Sequence, residues 1–184
     1  MTTPSDATAE VVVVGLGLVG AAALRTLASS GTACVGVGPA EPADLATHDG
    51  PFASYYDSGR ITRHLDPVAE WAILAARAIR GYAELESASG IEFWRPTGAV
   101  LAELDPDRID AIRLVASQLG VAATEVAPAD ADRFDPRLRF PAGSTLLAEP
   151  APAGHVDPRR MLAANLAAAT AAGAGVAREP ALAV

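Results

Sequence analysis

The first forty residues carry apolar and glycine positions in the order of a strand, a tight turn, a helix and a second strand. Residues 10–14 are Glu10 followed by four valines, a run that is typical of a strand buried on both faces of a parallel sheet. Small, helix-favouring residues follow from Gly17 to about Ser30, and Gly31 predicts the end of that helix. A second apolar run covers residues 33–37. The order predicts a βαβ unit, whose crossover is almost always right-handed.

Asp-Pro pairs predict the starts of three further helices, because Asp accepts a backbone N–H at the N-cap and Pro suits the first helical position. We expect these helices to run from Asp66 to about Ser89, from Asp105 to about Leu119 and from Asp157 to Gly173. The first of them carries apolar residues at helical spacing, which predicts a packed face formed by Val68, Trp71, Ala75, Ile79 and Tyr82.

Short strands are expected between the helices. Residues 91–95 and 98–103 predict an antiparallel hairpin joined by a Pro-Thr turn, and residues 145–149 predict one more strand. Residues 175–184 are apolar enough to begin another, and the chain stops there without a polar tail, which we interpret as truncation. Scattered Pro and Gly after Gly38 predict a long irregular connection, and connections of that length are usually functional.

Composition narrows the possible partners. The chain is 51% hydrophobic and 20% charged, its formal net charge is −8, and it has no dense Lys/Arg run, which argues against nucleic acid. The apolar stretch 11–24 is shorter than a bilayer span and lacks the preceding positive charge of a secretory signal, so we expect no membrane partner and a cytoplasmic protein. Cys34, the single cysteine, is expected in the core, and the three histidines are expected at the surface without metal-ligand spacing.

The turn after the first strand fits the pattern G-x-G-x-x-G. Its residues are Gly15, Leu16, Gly17, Leu18, Val19 and Gly20. Gly15 permits the tight turn, Gly17 lets a pyrophosphate approach the backbone, and Gly20 lets the helix pack close to the sheet. The helix N-terminus then presents free N–H groups to the phosphates. Because the pattern lies between a buried strand and a helix, it predicts a dinucleotide-binding site.

The acidic residue that usually ends the second strand and binds a ribose hydroxyl is absent, since that position is Gly38. Glu41 or Asp44 could substitute for it after a small loop shift, or both could be solvated loop acids. No arginine follows Gly38 directly, which argues against NADP.

A second informative segment, residues 54–64, lies in the long connection. It combines Tyr55 and Tyr56 with Arg60 and Arg63. A guanidinium can hold a carboxylate bidentately or stabilise negative charge on a reduced flavin. In an alternative interpretation, this is a polar loop whose arginines pair with Asp57 and Asp66.

Together these segments resemble the flavin-dependent amine oxidoreductases of the D-amino-acid oxidase superfamily, in particular monomeric sarcosine oxidase and its relatives. The resemblance runs through the glycine turn, residues 54–64, Thr97-Gly98-Ala99-Val100 and Gly154-His155-Val156-Asp157. Its most specific element is Arg60-Ile61-x-Arg63-His64.

The resemblance implies an α/β fold, with a Rossmann-type FAD-binding βαβ unit on a parallel sheet and part of an interleaved α+β substrate domain. The expected segments are 1–90 for FAD binding, 91–143 for the substrate domain and 144–184 for the second, incomplete FAD-binding part. The implied enzyme holds FAD and oxidises a C–N bond of a small amine or amino acid to an imine, with release of hydrogen peroxide. We expect the isolated chain to show little activity.

By position, the resemblance implies the roles of individual residues. The flavin contacts would be Ser54, Tyr55, Tyr56, Arg60 and Ile61, and Leu182 would contact the adenine. Arg63 and Tyr56 are the candidate catalytic residues, with Arg63 binding the substrate carboxylate. The chain departs from the family at Gly38 and at Tyr55-Tyr56, which stand where sarcosine oxidases carry two histidines.

Two alternatives remain open on the sequence. Glycine turns of this kind also open NAD-dependent dehydrogenases, although such a chain should continue into repeated strand-helix units. The other alternative is a truncated dinucleotide-binding module that catalyses no reaction.

Overall fold

The structure is a computed structural model that describes residues 9–50 and 53–181. The helices are α1 (Leu18–Ser29), α2 (Ala69–Ser89), α3 (Pro106–Leu119) and α4 (Pro158–Ala171), with a short 3-10 helix over Pro128–Arg133. The strands are β1 (Val11–Val14), β2 (Cys34–Val37), β3 (Arg60–Thr62), β4 (Trp94–Arg95), β5 (Ala99–Glu103), β6 (Thr124–Val126), β7 (Thr145–Glu149), β8 (Gly154–Val156) and β9 (Gly175–Ala177).

The chain alternates between two compact units. The first unit contains the described residues up to Ser58, the segment Glu84–Phe93 and the described residues from Asp157 onward. The second unit contains Gly59–Ala83 and Trp94–Val156. Each unit therefore takes its residues from separate stretches of the sequence, as an interleaved fold requires.

The first unit holds a parallel sheet in the order β1-β2-β9, with helices α1 and α4 packed against each other. Its core includes Leu24, Leu162 and Leu166, and Cys34 is 4% exposed within it. The predicted βαβ unit and the predicted burial of Cys34 are therefore confirmed. The strand predicted after residue 175 is also present, as β9, which pairs with β2.

The second unit holds two antiparallel sheets, ordered β3-β8-β4 and β5-β7-β6. The predicted hairpin between residues 91–95 and 98–103 is wrong, because β4 pairs with β8 whereas β5 pairs with β7. The reason lies in the connecting turn. Gly98 adopts φ 82° and its N–H donates to the carbonyl of Ala153, 2.7 Å away, so the turn passes the chain from one sheet to the other.

Helix α2 buries most of the predicted face. Ile79 is 3% exposed and Ala75 and Tyr82 are half-buried, as predicted. The prediction fails at the start of the helix, where Trp71 is 64% exposed and the neighbouring Ala72 is fully buried. The start also differs: Asp66 accepts the N–H of Val68 at 2.9 Å, but the helix begins at Ala69.

The other two Asp-Pro starts are confirmed. Asp105 accepts the N–H of Asp107 at the start of α3, and Asp157 accepts the N–H of Arg160 at the start of α4, each at 3.0 Å. No helix in the described part of the chain combines the length and apolar character needed to cross a membrane.

Candidate functional site

The glycine turn between β1 and α1 brings the backbone of the helix very close to the end of the strand. Gly15 adopts φ 95°, a conformation that favours glycine. A Cβ placed on Gly20 would lie 1.8 Å from the carbonyl oxygen of Gly15, so a side chain there would displace the helix. These positions require glycine for the mechanical reasons that the sequence pattern predicts.

The N-terminus of α1 is open. A Cβ placed on Gly17 would meet no atom within 4 Å, and Gly17 caps the helix without a side-chain hydrogen bond. The first turn holds no acidic residue, Leu18 is half-buried, and Val19 is 85% exposed. The first N–H groups of a helix have no partner within the helix, and its dipole places positive charge there. The geometry suits a diphosphate.

Residue 38 has no room for the acid that usually binds a ribose. A Cβ on Gly38 would lie 2.7 Å from the backbone nitrogen of Leu16, so the glycine turn itself fills that space. Of the two acids considered as substitutes, Asp44 accepts hydrogen bonds from the Ala46 N–H and the Thr47 hydroxyl at 2.9 and 2.8 Å. Those bonds hold the pKa of Asp44 below its usual value.

Glu41, the other acid, forms an ion pair with Arg159, the second residue of α4. Its Oε1 atom is buried and lies close to the guanidinium without hydrogen-bond geometry. Both residues line a cavity of about 260 Å³. Tyr55 and Arg178 line the same cavity, and Arg178 directly follows β9. Ligands of open α/β sheets bind beyond the carboxyl ends of the strands. This cavity is lined by residues that follow the carboxyl ends of β2 and β9.

Tyr55 and Tyr56 lie in the first unit. Tyr55 is 4% exposed and belongs to the hydrophobic core, against which Tyr56 packs. The two rings meet edge to face with centroids 4.8 Å apart. Burial, followed by the proximity of Tyr56, raises the pKa of Tyr55 to about 12. Ser54 is exposed beside them.

Arg60, Ile61 and Arg63 lie in the second unit on and just after β3. The strand pairs with β8, placing Arg60 opposite Val156 and Thr62 opposite Gly154. Ile61 is 71% exposed and Arg60 is half-buried. The Nη1 atom of Arg63 lies 3.9 Å from Oδ2 of Asp66, at the outer limit of an ion pair, and the Arg63 side chain is 31% exposed. Arg63 is therefore accessible and only weakly paired with Asp66.

Sequence reasoning missed the strongest polar contact beside Arg63. His64 was expected at the surface, but its side chain is 14% exposed and its Nδ1 lies 2.5 Å from Oε1 of Glu149. The partners are 85 residues apart in the sequence, and no local spacing connects them. Only their position at the ends of two strands, β3 and β7, brings them together.

One predicted contact, Leu182, lies outside the described residues. Within residues 9–50 and 53–181, no cluster of three or more His, Cys, Asp or Glu side chains is suited to a metal ion.

Several solved structures share the fold of this chain. L-proline dehydrogenase from P. horikoshii superposes with a TM-score of 0.71 at 18% identity, over 92% of this chain and 44% of that one. Glycine oxidase from Geobacillus kaustophilus gives 0.69 at 20%, over 91% and 46%. L-amino acid deaminase from Proteus vulgaris gives 0.71 at 18%, over 96% and 41%. The chain thus spans less than half the length of each. No curated protein matches the chain.

The family model described as FAD dependent oxidoreductase matches residues 10–184. This match covers both units. After β2 the chain enters an antiparallel sheet rather than further strand-helix repeats, so an NAD-dependent dehydrogenase is not favoured. The cofactor of the matching family is FAD. The chain belongs to the family of FAD dependent oxidoreductases.

Proposed function

We propose that this chain provides the diphosphate-binding turn and the substrate-binding arginine of an enzyme that oxidises the C–N bond of an amino acid or secondary amine. The observation that carries the proposal is Arg63, an accessible guanidinium held next to a sheet strand with one weak ion pair at 3.9 Å. Several structures with the same fold are named as amino-acid oxidising enzymes, including a glycine oxidase and a proline dehydrogenase.

The residues of the first unit fit FAD. The N–H groups that begin α1 would bind the pyrophosphate over the empty space beside Gly17. We propose Glu41 as the ribose-binding acid, because Gly38 has no room for a side chain and Asp44 is already engaged in its own loop. Arg159 would hold the Glu41 carboxylate in place. Leu182 remains the proposed adenine contact.

Bound FAD would supply a two-electron acceptor for the C–N bond of the substrate, leaving an imine for water to hydrolyse, and oxygen would take up the two electrons and two protons as hydrogen peroxide. The protein residues bind and orient. Arg63 would hold the substrate carboxylate by a charge-assisted pair of hydrogen bonds. Tyr56 is the second proposed catalytic residue. Ser54, Tyr55, Arg60 and Ile61 are proposed flavin contacts, in which the Arg60 guanidinium would stabilise negative charge.

Replacing Arg63 tests this function. In the FAD-loaded protein, Arg63→Ala should raise KM for amino acids by roughly 10- to 150-fold, since one charged hydrogen-bond partner contributes about 1.5–3 kcal/mol. KM is measured from initial rates of turnover, and anaerobic bleaching of the flavin identifies the substrates in a panel that includes glycine, N-methylglycine and both enantiomers of proline. Arg137→Ala is the matched control, because Arg137 is 87% exposed and pairs with Asp135.

An unchanged KM in Arg63→Ala would remove Arg63 from the substrate site. A protein that binds FAD but is bleached by no amine or amino acid would instead support the non-catalytic module. Bleaching with release of peroxide under air would support the oxidase.

A further inference from the structure

The carboxylate of Glu149, at the last position of β7, is buried and surrounded by donors. The residue is 3% exposed. Its oxygens accept the backbone N–H of His64 at 3.1 and 3.0 Å and that of Leu65 at 3.1 Å. Oε1 also lies 2.5 Å from Nδ1 of His64, which donates to it when the carboxylate is ionised, because an ionised carboxylate can only accept. Each of these contacts is made to the two residues that follow Arg63.

A buried carboxylate at the last position of β7 is energetically unfavourable by itself. Burying a charge is unfavourable unless hydrogen bonds compensate it, and an apolar residue of similar volume often gives equal or greater stability. The remaining buried positions of β7, Leu146 and Leu147, are apolar. Stability alone therefore does not account for Glu149, and what distinguishes it is the set of backbone groups that it fixes.

The backbone N–H groups that Glu149 binds follow Arg63 in the sequence, and the residue that precedes Arg63 is held in place as well. Thr62 precedes Arg63, is 8% exposed and pairs with Gly154 in the β3–β8 ladder. Leu65 follows, is 1% exposed and packs in a core cluster with Ile109 and Leu147. The backbone of Arg63 is thus held from both directions while its side chain remains accessible.

We propose that Glu149, through His64, is a positioning residue for substrate binding: it fixes the backbone from which Arg63 reaches the substrate carboxylate. The inference rests on the proposed function, in which Arg63 binds that carboxylate. A guanidinium held on a rigid backbone loses less conformational entropy when it binds, and a displacement of about 1 Å is enough to lower binding or rate by up to about a hundredfold. Positioning by Glu149 therefore affects ligands with a carboxylate and spares those without one.

Binding of benzoate and benzamide tests the proposal, because the two have the same size and only benzoate carries the charge. Their dissociation constants would be measured from the absorption change of the flavin in the FAD-loaded protein. Glu149→Gln should weaken benzoate by about ten- to a hundredfold while benzamide changes less than about twofold. A merely structural role would affect both ligands equally.

Two sets of variants accompany this measurement. Glu103→Gln is the matched control, since Glu103 lies at the other end of the β5–β7 ladder and also accepts backbone N–H groups, those of Leu104 and Asp105. His64→Asn keeps a donor near the position of Nδ1 and should retain benzoate affinity, whereas His64→Ala should lose it. These two variants decide the question should Glu149→Gln fail to fold.

Equal weakening of both ligands, or loss of benzoate affinity in His64→Asn to the extent seen in His64→Ala, would overturn the positioning role. Arg63→Ala in the same assay separates this inference from the proposed function. Should the wild type show no specific benzoate binding, or should Arg63→Ala bind benzoate as tightly as the wild type, the carboxylate site itself is wrong. Should Arg63→Ala weaken benzoate while Glu149→Gln does not, only the positioning role is wrong.

Discussion

Tyr55 is a buried residue of the hydrophobic core. It remains a proposed flavin contact, and its ring packs among apolar side chains of the first unit. Its pKa of about 12, raised mainly by burial, means that the phenol stays neutral far into the alkaline range. In the folded chain the proton is held more tightly than in the unfolded one, whose tyrosines titrate near pH 10.

This difference predicts a pH dependence of stability. A raised folded pKa contributes stability that is complete below pH 10 and is lost as the pH rises towards 12, at up to about 1 kcal/mol per pH unit. Urea unfolding at pH 8 and pH 11 should therefore show a larger drop in the free energy of unfolding for wild type than for Tyr55→Phe. An identical drop in the two proteins would show that the Tyr55 phenol is not buried.

At the level of single residues, the sequence predicted positions whose role is local. The three glycines of the turn and the Asp caps of α3 and α4 act within a few residues of themselves, so a short pattern reveals them. Glu149 acts on backbone groups 85 residues away, and a single sequence carries no signal for that. The absence of an acid at residue 38 was visible, but its cause, the approach of Leu16, required the structure.

At the level of elements, β8 is the central strand of the sheet that contains Arg60. It lies between β3 and β4, and a Cβ on Gly154 would lie 1.9 Å from the carbonyl oxygen of Arg95. This crowding explains why residue 154 is glycine. It is the first residue of the Gly154-His155-Val156 segment that carries part of the resemblance. The tight fit also brings the carbonyl of Arg95 and the N–H of Thr97 close to the strand.

Gly154→Ala should therefore destabilise the chain by about 1–3 kcal/mol, the usual cost of overpacking. Gly81→Ala is the control, because Gly81 lies inside α2 and a Cβ there meets no atom within 4 Å. That control should stabilise the chain by about 0.5–1 kcal/mol through helix propensity. Thermal or urea unfolding of both variants tests this prediction. A Gly154→Ala variant as stable as the wild type would mean that β4 and β8 are not this close.

Prediction of the elements failed where pairing is non-local. The strands around Pro96-Thr97 were sequential and had the alternation of a hairpin, yet each pairs with a strand much later in the chain. The start of the α2 face was misjudged because a small residue, Ala72, takes the buried position beside the large Trp71. Apolar spacing predicts that a helix is amphipathic more reliably than it predicts which large side chain is covered.

At the level of the whole molecule, the βαβ pattern was sufficient to predict the fold class, because one short segment specifies a parallel sheet, a crossover and an open helix N-terminus together. The division into two units follows from the chain leaving the first unit after Ser58 and returning at Glu84 and again at Asp157. No single pattern in the sequence marks those crossings, since they depend on contacts between distant segments.

The central claim is that the empty space beside Gly17 receives the pyrophosphate of FAD. The most direct measurement is the dissociation constant of FAD for Gly17→Val compared with Gly81→Val, since a Cβ at either position meets no protein atom within 4 Å. Thermal unfolding of both variants controls for the change at the helix N-cap. We expect Gly17→Val to remain folded and to lose FAD binding while Gly81→Val retains it; a folded Gly17→Val protein that binds FAD as tightly as wild type would contradict the account.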